Sequence, residues 1–145
     1  MKVIKGFTLV EMALSLALLG IIFGIAAPYY QSFQVRNDLD IATNTIVQSL
    51  RRAQTLSQAG DGDMNWGVYV QVGSIIIFKG ASYILRDVSY DEISNLPPSI
   101  ESSGIAEVVF SKLYGIPQST GTFTLTSTAN ETRNIIINEK GMVNF

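Results

Sequence analysis

The sequence predicts an α+β protein, in which one long N-terminal helix is followed by an antiparallel β-rich head. Three observations carry that prediction. An apolar run from Phe7 to Ala27 is broken by a single charge, Glu11. Beyond Pro28 the pattern turns amphipathic, and Leu39, Ala42, Ile46, Leu50, Ala53 and Leu56 recur at intervals of three and four, the period of one helix face. After Gly60, short runs of β-branched and aromatic residues alternate with polar ones, as half-buried strands do.

The first element covers residues 7–28. Its apolar part, residues 7–27, numbers 21, and a hydrocarbon core takes about 20. Lys2 and Lys5 precede it and favour a cytoplasmic N-terminus. Thr8, Glu11 and Ser15 share a narrow polar face. Ala13, Ala17, Gly20, Gly24 and Ala27 form a face of small residues. Within it Gly20 and Gly24 make a GxxxG match, which lets helix backbones approach closely in lipid. Pro28 either bends the helix, through its missing N–H and its clash with the carbonyl four residues back, or marks the membrane exit.

Glu11 is the informative residue. An acid near the centre of a membrane helix costs about 2.5–3.5 kcal/mol. No Lys or Arg follows it until Arg36, roughly 37 Å further along a helix. A charged partner is therefore expected from another chain, or from an amine created by a cut before Phe7. A secretory signal peptide cut near Gly24-Ile25-Ala26 is the rival reading. The length of the run, Glu11 within it and Pro28 just beyond it weigh against that rival.

The amphipathic second element occupies residues 29–60. No Gly or Pro interrupts residues 29–59 and Gly60 supplies a stop, so the helix is expected over about 7–59, roughly 80 Å. The head, residues 61–145, is expected to hold four to six strands. Trp66–Val72 places Val68, Val70 and Val72 on one face, and Ser74–Phe78 reads as a strand buried on both sides. Ile105–Phe110 and Thr122–Thr126 follow, and Asn134–Asn138 pairs with Met142–Phe145 as a terminal hairpin. Tyr83–Pro98 reads as a polar loop with at most a weak strand at its start.

The chain has no Cys and no His, which excludes thiol nucleophiles, Ser-His-Asp triads, disulfides and the usual zinc sites. Formal charge is −2, with ten basic against 12 acidic side chains, and loss of residues 1–6 removes two of the basic ones to leave −4. An acidic head is a poor partner for nucleic acid, and Lys112, Arg133 and Lys140 are scattered among acids.

The segment Lys5-Gly6-Phe7-Thr8-Leu9-Val10-Glu11 resembles the cleavage motif of type IV pilins and type II secretion pseudopilins. The likeness joins a short basic leader (residues 1–6), the Gly6-Phe7 junction, Thr-Leu, a Glu four residues past Phe7 and an apolar helix. It implies cleavage between Gly6 and Phe7 by a prepilin peptidase and N-methylation of Phe7. It further implies that Glu11 neutralises the amine of a neighbouring subunit in a filament core built from residues 7–28, with Gly20, Gly24 and Pro28 in the packing. The small-residue face fits such a core and also a simple dimer.

The family implies a pilin-like fold and a single-pass inner-membrane protein with its head in the periplasm or outside the cell. Other pilin or pseudopilin subunits, the inner-membrane assembly machinery and the lipid bilayer are then its partners. Arg51-Arg52-Ala53-Gln54, Trp66-Gly67-Val68-Tyr69, Phe110-Ser111 with Gly115, and Ile135-Ile136-Ile137-Asn138 with Gly141 resemble the H-type minor pseudopilins and related minor pilins. Two other readings stay open. One is a major pilin, although the Cys pair of many of those is missing. The other is a membrane-anchored binding domain that never polymerises.

Asp61, Asp63 and Asn65 open like a calcium loop, but Trp66 and Val72 stand where an EF-hand needs Gly and Glu. The default for these residues is a solvated turn. Asn130-Glu131-Thr132 matches a short glycosylation sequon. Asp87, Asp91 and Glu92 cluster in the predicted polar loop, a pattern that a pair of glycosidase carboxylates also makes. No catalysis, metal or cofactor is expected.

Overall fold

The computed structural model describes residues 6–145, the side chains of residues 26–28 and 31 excepted. A long helix, α1 (Leu9–Gln58), and a short 3-10 turn (Asp61–Asp63) precede eight strands. These are β1 (Trp66–Gln71), β2 (Ser74–Lys79), β3 (Asp87–Asn95), β4 (Ile100–Gly104), β5 (Glu107–Phe110), β6 (Gly121–Ser127), β7 (Thr132–Ile137) and β8 (Val143–Asn144). The chain divides into two compact units, up to Gln34 and from Val35 to Phe145. The first is helix from Leu9 onward, with Val10, Leu14, Leu18, Ile21 and Ile25 exposed.

The second unit packs the latter part of α1 against two antiparallel four-stranded sheets, ordered β3-β2-β1-β5 and β4-β6-β7-β8. Every residue of the predicted stripe from Leu39 to Ala53 is fully buried, and Leu56 packs against the same core. That face meets Val68, Val70, Ile75 and Ile77 of one sheet and Phe123, Leu125, Ile135 and Ile137 of the other. Burying one helix face between sheet faces is how an α+β domain removes its apolar surface from water.

The helix ends where expected, at Gly60, which takes φ +68, a conformation that favours glycine. Just before it, the buried Ser57 hydroxyl accepts the Trp66 N–H at 2.9 Å and donates to the Phe110 carbonyl at 3.0 Å. One side chain thus ties the helix end to the first and last strands of a sheet.

A second cluster covers the outer face of that sheet. Ile76, Phe78 and Val109 are buried there, with Tyr69 and Tyr83 against them. Phe78 lies across Gly67, its partner on β1, where a Cβ would come 2.5 Å from the ring. The Tyr83 ring stacks on Tyr69 at 3.9 Å, and the Arg86 guanidinium covers the other ring face at 3.9 Å. Arg86 also pairs with Asp91 at 2.9 Å, their side chains only 19% and 8% exposed.

Several expectations are corrected. The helix begins at Leu9 rather than Phe7, for a reason that lies in Thr8. Val72 does not share the inward face of Val68 and Val70; it is 87% exposed in the hairpin turn between Gln71 and Ser74. The expected polar loop over residues 83–98 contains the nine-residue strand β3. Its Ile76↔Ile93 and Ile75↔Ser94 pairing makes it a strand without an apolar alternation of its own. β4 was not expected either; it is an edge strand with only Ile100 buried.

Candidate functional site

The site predicted from the sequence lies at the start of the first unit. Residues 6–8 are not helical, and Phe7 is 80% exposed. Thr8 caps the helix. Its hydroxyl oxygen accepts the Glu11 N–H at 3.3 Å, and Glu11 Oε2 accepts the Thr8 N–H at 2.9 Å. This reciprocal pair is a capping box, which satisfies donors that a helix start leaves without partners. The Thr8 hydroxyl also donates to Glu11 Oε2 at 2.9 Å, and Ser15 donates to the Glu11 carbonyl at 2.8 Å. Gly6, Phe7, Thr8 and Glu11 line one open pocket of about 280 Å³.

The expectation that a charged partner of Glu11 comes from another chain, or from an amine created by a cut before Phe7, gains a neutral complement within the chain. Its carboxylate has neutral partners on Thr8, and no cation among the described residues pairs with it. Thr8-Leu9-Val10-Glu11 is the T-x-x-E spacing of the capping box, so this signal was present in the sequence. Taken only as a polar face, Thr8, Glu11 and Ser15 do not reveal it.

Gly20 and Gly24 lie within α1, and nothing stands within 4 Å of where a Cβ would sit on either. Within this chain their surfaces are open. The Pro28 side chain and the leader residues Lys2 and Lys5 lie outside the described residues. So does part of the apolar run. Among the described residues no helix is long and apolar enough to cross a membrane, and the described apolar side chains stop at Ile25 before the run reaches Ala26 and Ala27.

The discounted sites resolve into contacts within the head. Asp63 pairs with Lys112 Nζ at 2.5 Å, Asn65 Oδ1 accepts the Lys112 N–H at 2.9 Å, and the Asp61 carbonyl accepts the Trp66 ring N–H at 3.0 Å. The Lys112 contact holds the Asp63 carboxyl below its ordinary value. Among the described residues no group of three His, Cys, Asp or Glu gathers to hold a metal ion. Asp87, Asp91 and Glu92 each take a different partner. Asp87 accepts the Ser89 hydroxyl, Asp91 takes Arg86, and Glu92 takes Arg52 in a bidentate pair at 2.6 and 2.7 Å. That pair holds Glu92 below the usual carboxylate value and Arg52 above its own.

No solved structure matches the chain. The family comparison bears on its first 27 residues and implies processing by a prepilin peptidase, anchoring in a membrane and assembly with other pilin subunits in a filament. Residues 1–27 match the family model of the prokaryotic N-terminal methylation motif, and the chain carries there the signature of type IV pilins and pseudopilins.

Proposed function

We propose that the protein is a non-enzymatic structural subunit, a minor pilin or pseudopilin, of a type IV pilus-like or type II secretion filament. The observation that carries this reading is the motif over residues 1–27, with Gly6-Phe7 at the junction and Glu11 as the one charge in the apolar run. The precursor sits in the inner membrane with Lys2 and Lys5 on the cytoplasmic side and the head in the periplasm. Residues 7–27 cross the bilayer in the precursor and later pack in the filament core. Burial in that core gives the Glu11 carboxylate reason to meet the amine of a neighbouring subunit, since either charge unpaired in lipid is costly. The head, whose likeness is to H-type minor pseudopilins, is displayed outward.

Mass spectrometry of the intact protein and its N-terminal peptide, made in its own cells, tests the reading. The expected chain starts at Phe7 and is heavier by one methyl group. A chain beginning at Met1 overturns the proposal in favour of an ordinary anchored domain, and one beginning near Pro28 in favour of a secreted domain.

A further inference from the structure

Ten Lys and Arg less Lys2 and Lys5 leave eight among the described residues. Five make ion pairs: Arg36 with Glu131, Arg52 with Glu92, Arg86 with Asp91, Lys112 with Asp63 and Arg133 with Asp40. Lys79 sits 4.0 Å over the Tyr90 ring. Arg51 and Lys140 remain, with no partner among the described residues, and both line one cleft of about 310 Å³ between α1 and the turn before β8.

Both walls of this cleft are fixed. Gln54, one turn along α1 from Arg51, donates to the Gly115 carbonyl at 2.9 Å. On the other side Asn138 Oδ1 accepts the N–H groups of Lys140 and Met142 at 3.0 and 2.9 Å. Gly141 lets that turn close onto the helix, since its φ is +75 and a Cβ there would fall 3.0 Å from the Gly115 carbonyl. Two cations held on rigid elements around a cleft form a site organised for an anion.

We propose that this cleft receives a carboxylate side chain from a second copy of this chain in the filament, an inference that rests on the function proposed above. Charge complementarity favours a protein carboxylate. The chain is acidic, and its carboxylates without a partner among the described residues, Asp61, Glu101 and Glu139, are all exposed. A filament repeats one head-to-tail contact between different surfaces of successive subunits. Such a contact brings an unmatched cation of one head to an unmatched acid of the next.

Zero-length carbodiimide coupling of filaments from cells making the full chain tests this, because it joins an amine only to a carboxylate already touching it. The expected product is an amide between Lys140 and an Asp or Glu of a second copy of this chain. The proposal is overturned if Lys140 in filaments is as open to amine acylation as in detergent-dispersed protein. It is overturned too if Lys140 is shielded yet couples to no carboxylate, which points to a phosphate-type ligand such as a lipid headgroup. Independently, Arg51→Gln with Lys140→Gln should lower the filament-borne share of the protein about tenfold, the loss expected for charge-assisted hydrogen bonds. Its melting temperature in detergent should not change, and assembly equal to wild type overturns the proposal. A chain that is processed at Phe7 but fails these tests loses the cleft assignment alone, whereas an unprocessed chain removes the filament reading itself.

Discussion

Phe123 has no exposed surface and packs with Leu125, Ile135 and Ile137 beneath α1. Truncation to Ala is expected to cost about 3–5 kcal/mol, a large part of the roughly 5–15 kcal/mol that holds a domain folded. Urea unfolding of the full chain in detergent measures it. Glu92 gives a pH-dependent test. Its folded value lies below the ordinary 4.5 because Arg52 donates to it, so the unfolded chain takes up the proton first as pH falls. Its contribution is therefore complete above 4.5 and is lost as pH falls through the folded value. Glu92→Gln should destabilise by less than about 1 kcal/mol near neutrality, because the pair is partly exposed. The difference from wild type should vanish in acid. Thr8→Ala removes the helix cap at a cost of about 1 kcal/mol, read as faster amide exchange at Glu11.

Among the elements, the β1–β2 pair shows how closely a sheet face is fitted. Gly67→Ala drives a Cβ into the Phe78 ring and within 3.0 Å of the Val108 carbonyl. A loss of about 1–3 kcal/mol in unfolding free energy is expected. The elements legible in the sequence were those whose own side chains carry the burial pattern. α1 showed it from Leu39 to Leu56, β2 in Ile75-Ile76-Ile77-Phe78, and β6 in Phe123 and Leu125. β3 and β4 were not legible, because β3 has no fully buried residue and β4 only Ile100, so each is a strand by virtue of its neighbour. Ile93 is exposed although it pairs with the buried Ile76, so no period of two marks the strand. The site was legible as a motif but incompletely as geometry. Glu11 was read for its charge, and its spacing from Thr8 held the capping signal unnoticed.

On the scale of the whole molecule, the chain combines a first unit whose apolar side chains are exposed with a second that carries its own core. The first unit has apolar surface to bury and one carboxylate among it, whereas the second is closed by pairs such as Arg36–Glu131 and Arg52–Glu92. Glu11→Leu separates the readings of the first unit. A plain anchor tolerates the change, while a filament subunit is expected to remain in the membrane and be absent from sheared filaments, as an immunoblot of the two fractions would show. The head should melt at the same temperature in either case, because its core is built from residues of the second unit.

The Thr8–Glu11 cap also sets where the helix begins. A protease needs its target strand extended, and a peptide bond inside a helix must first be unwound at the loss of several hydrogen bonds. Here the helical ladder begins two residues after the Gly6–Phe7 bond, so that bond lies in open chain while the helix beyond it stays intact. The same threonine that steadies the helix marks off a non-helical stretch at Gly6–Phe7, and the cleavage proposed there would leave a helix already capped at its new end.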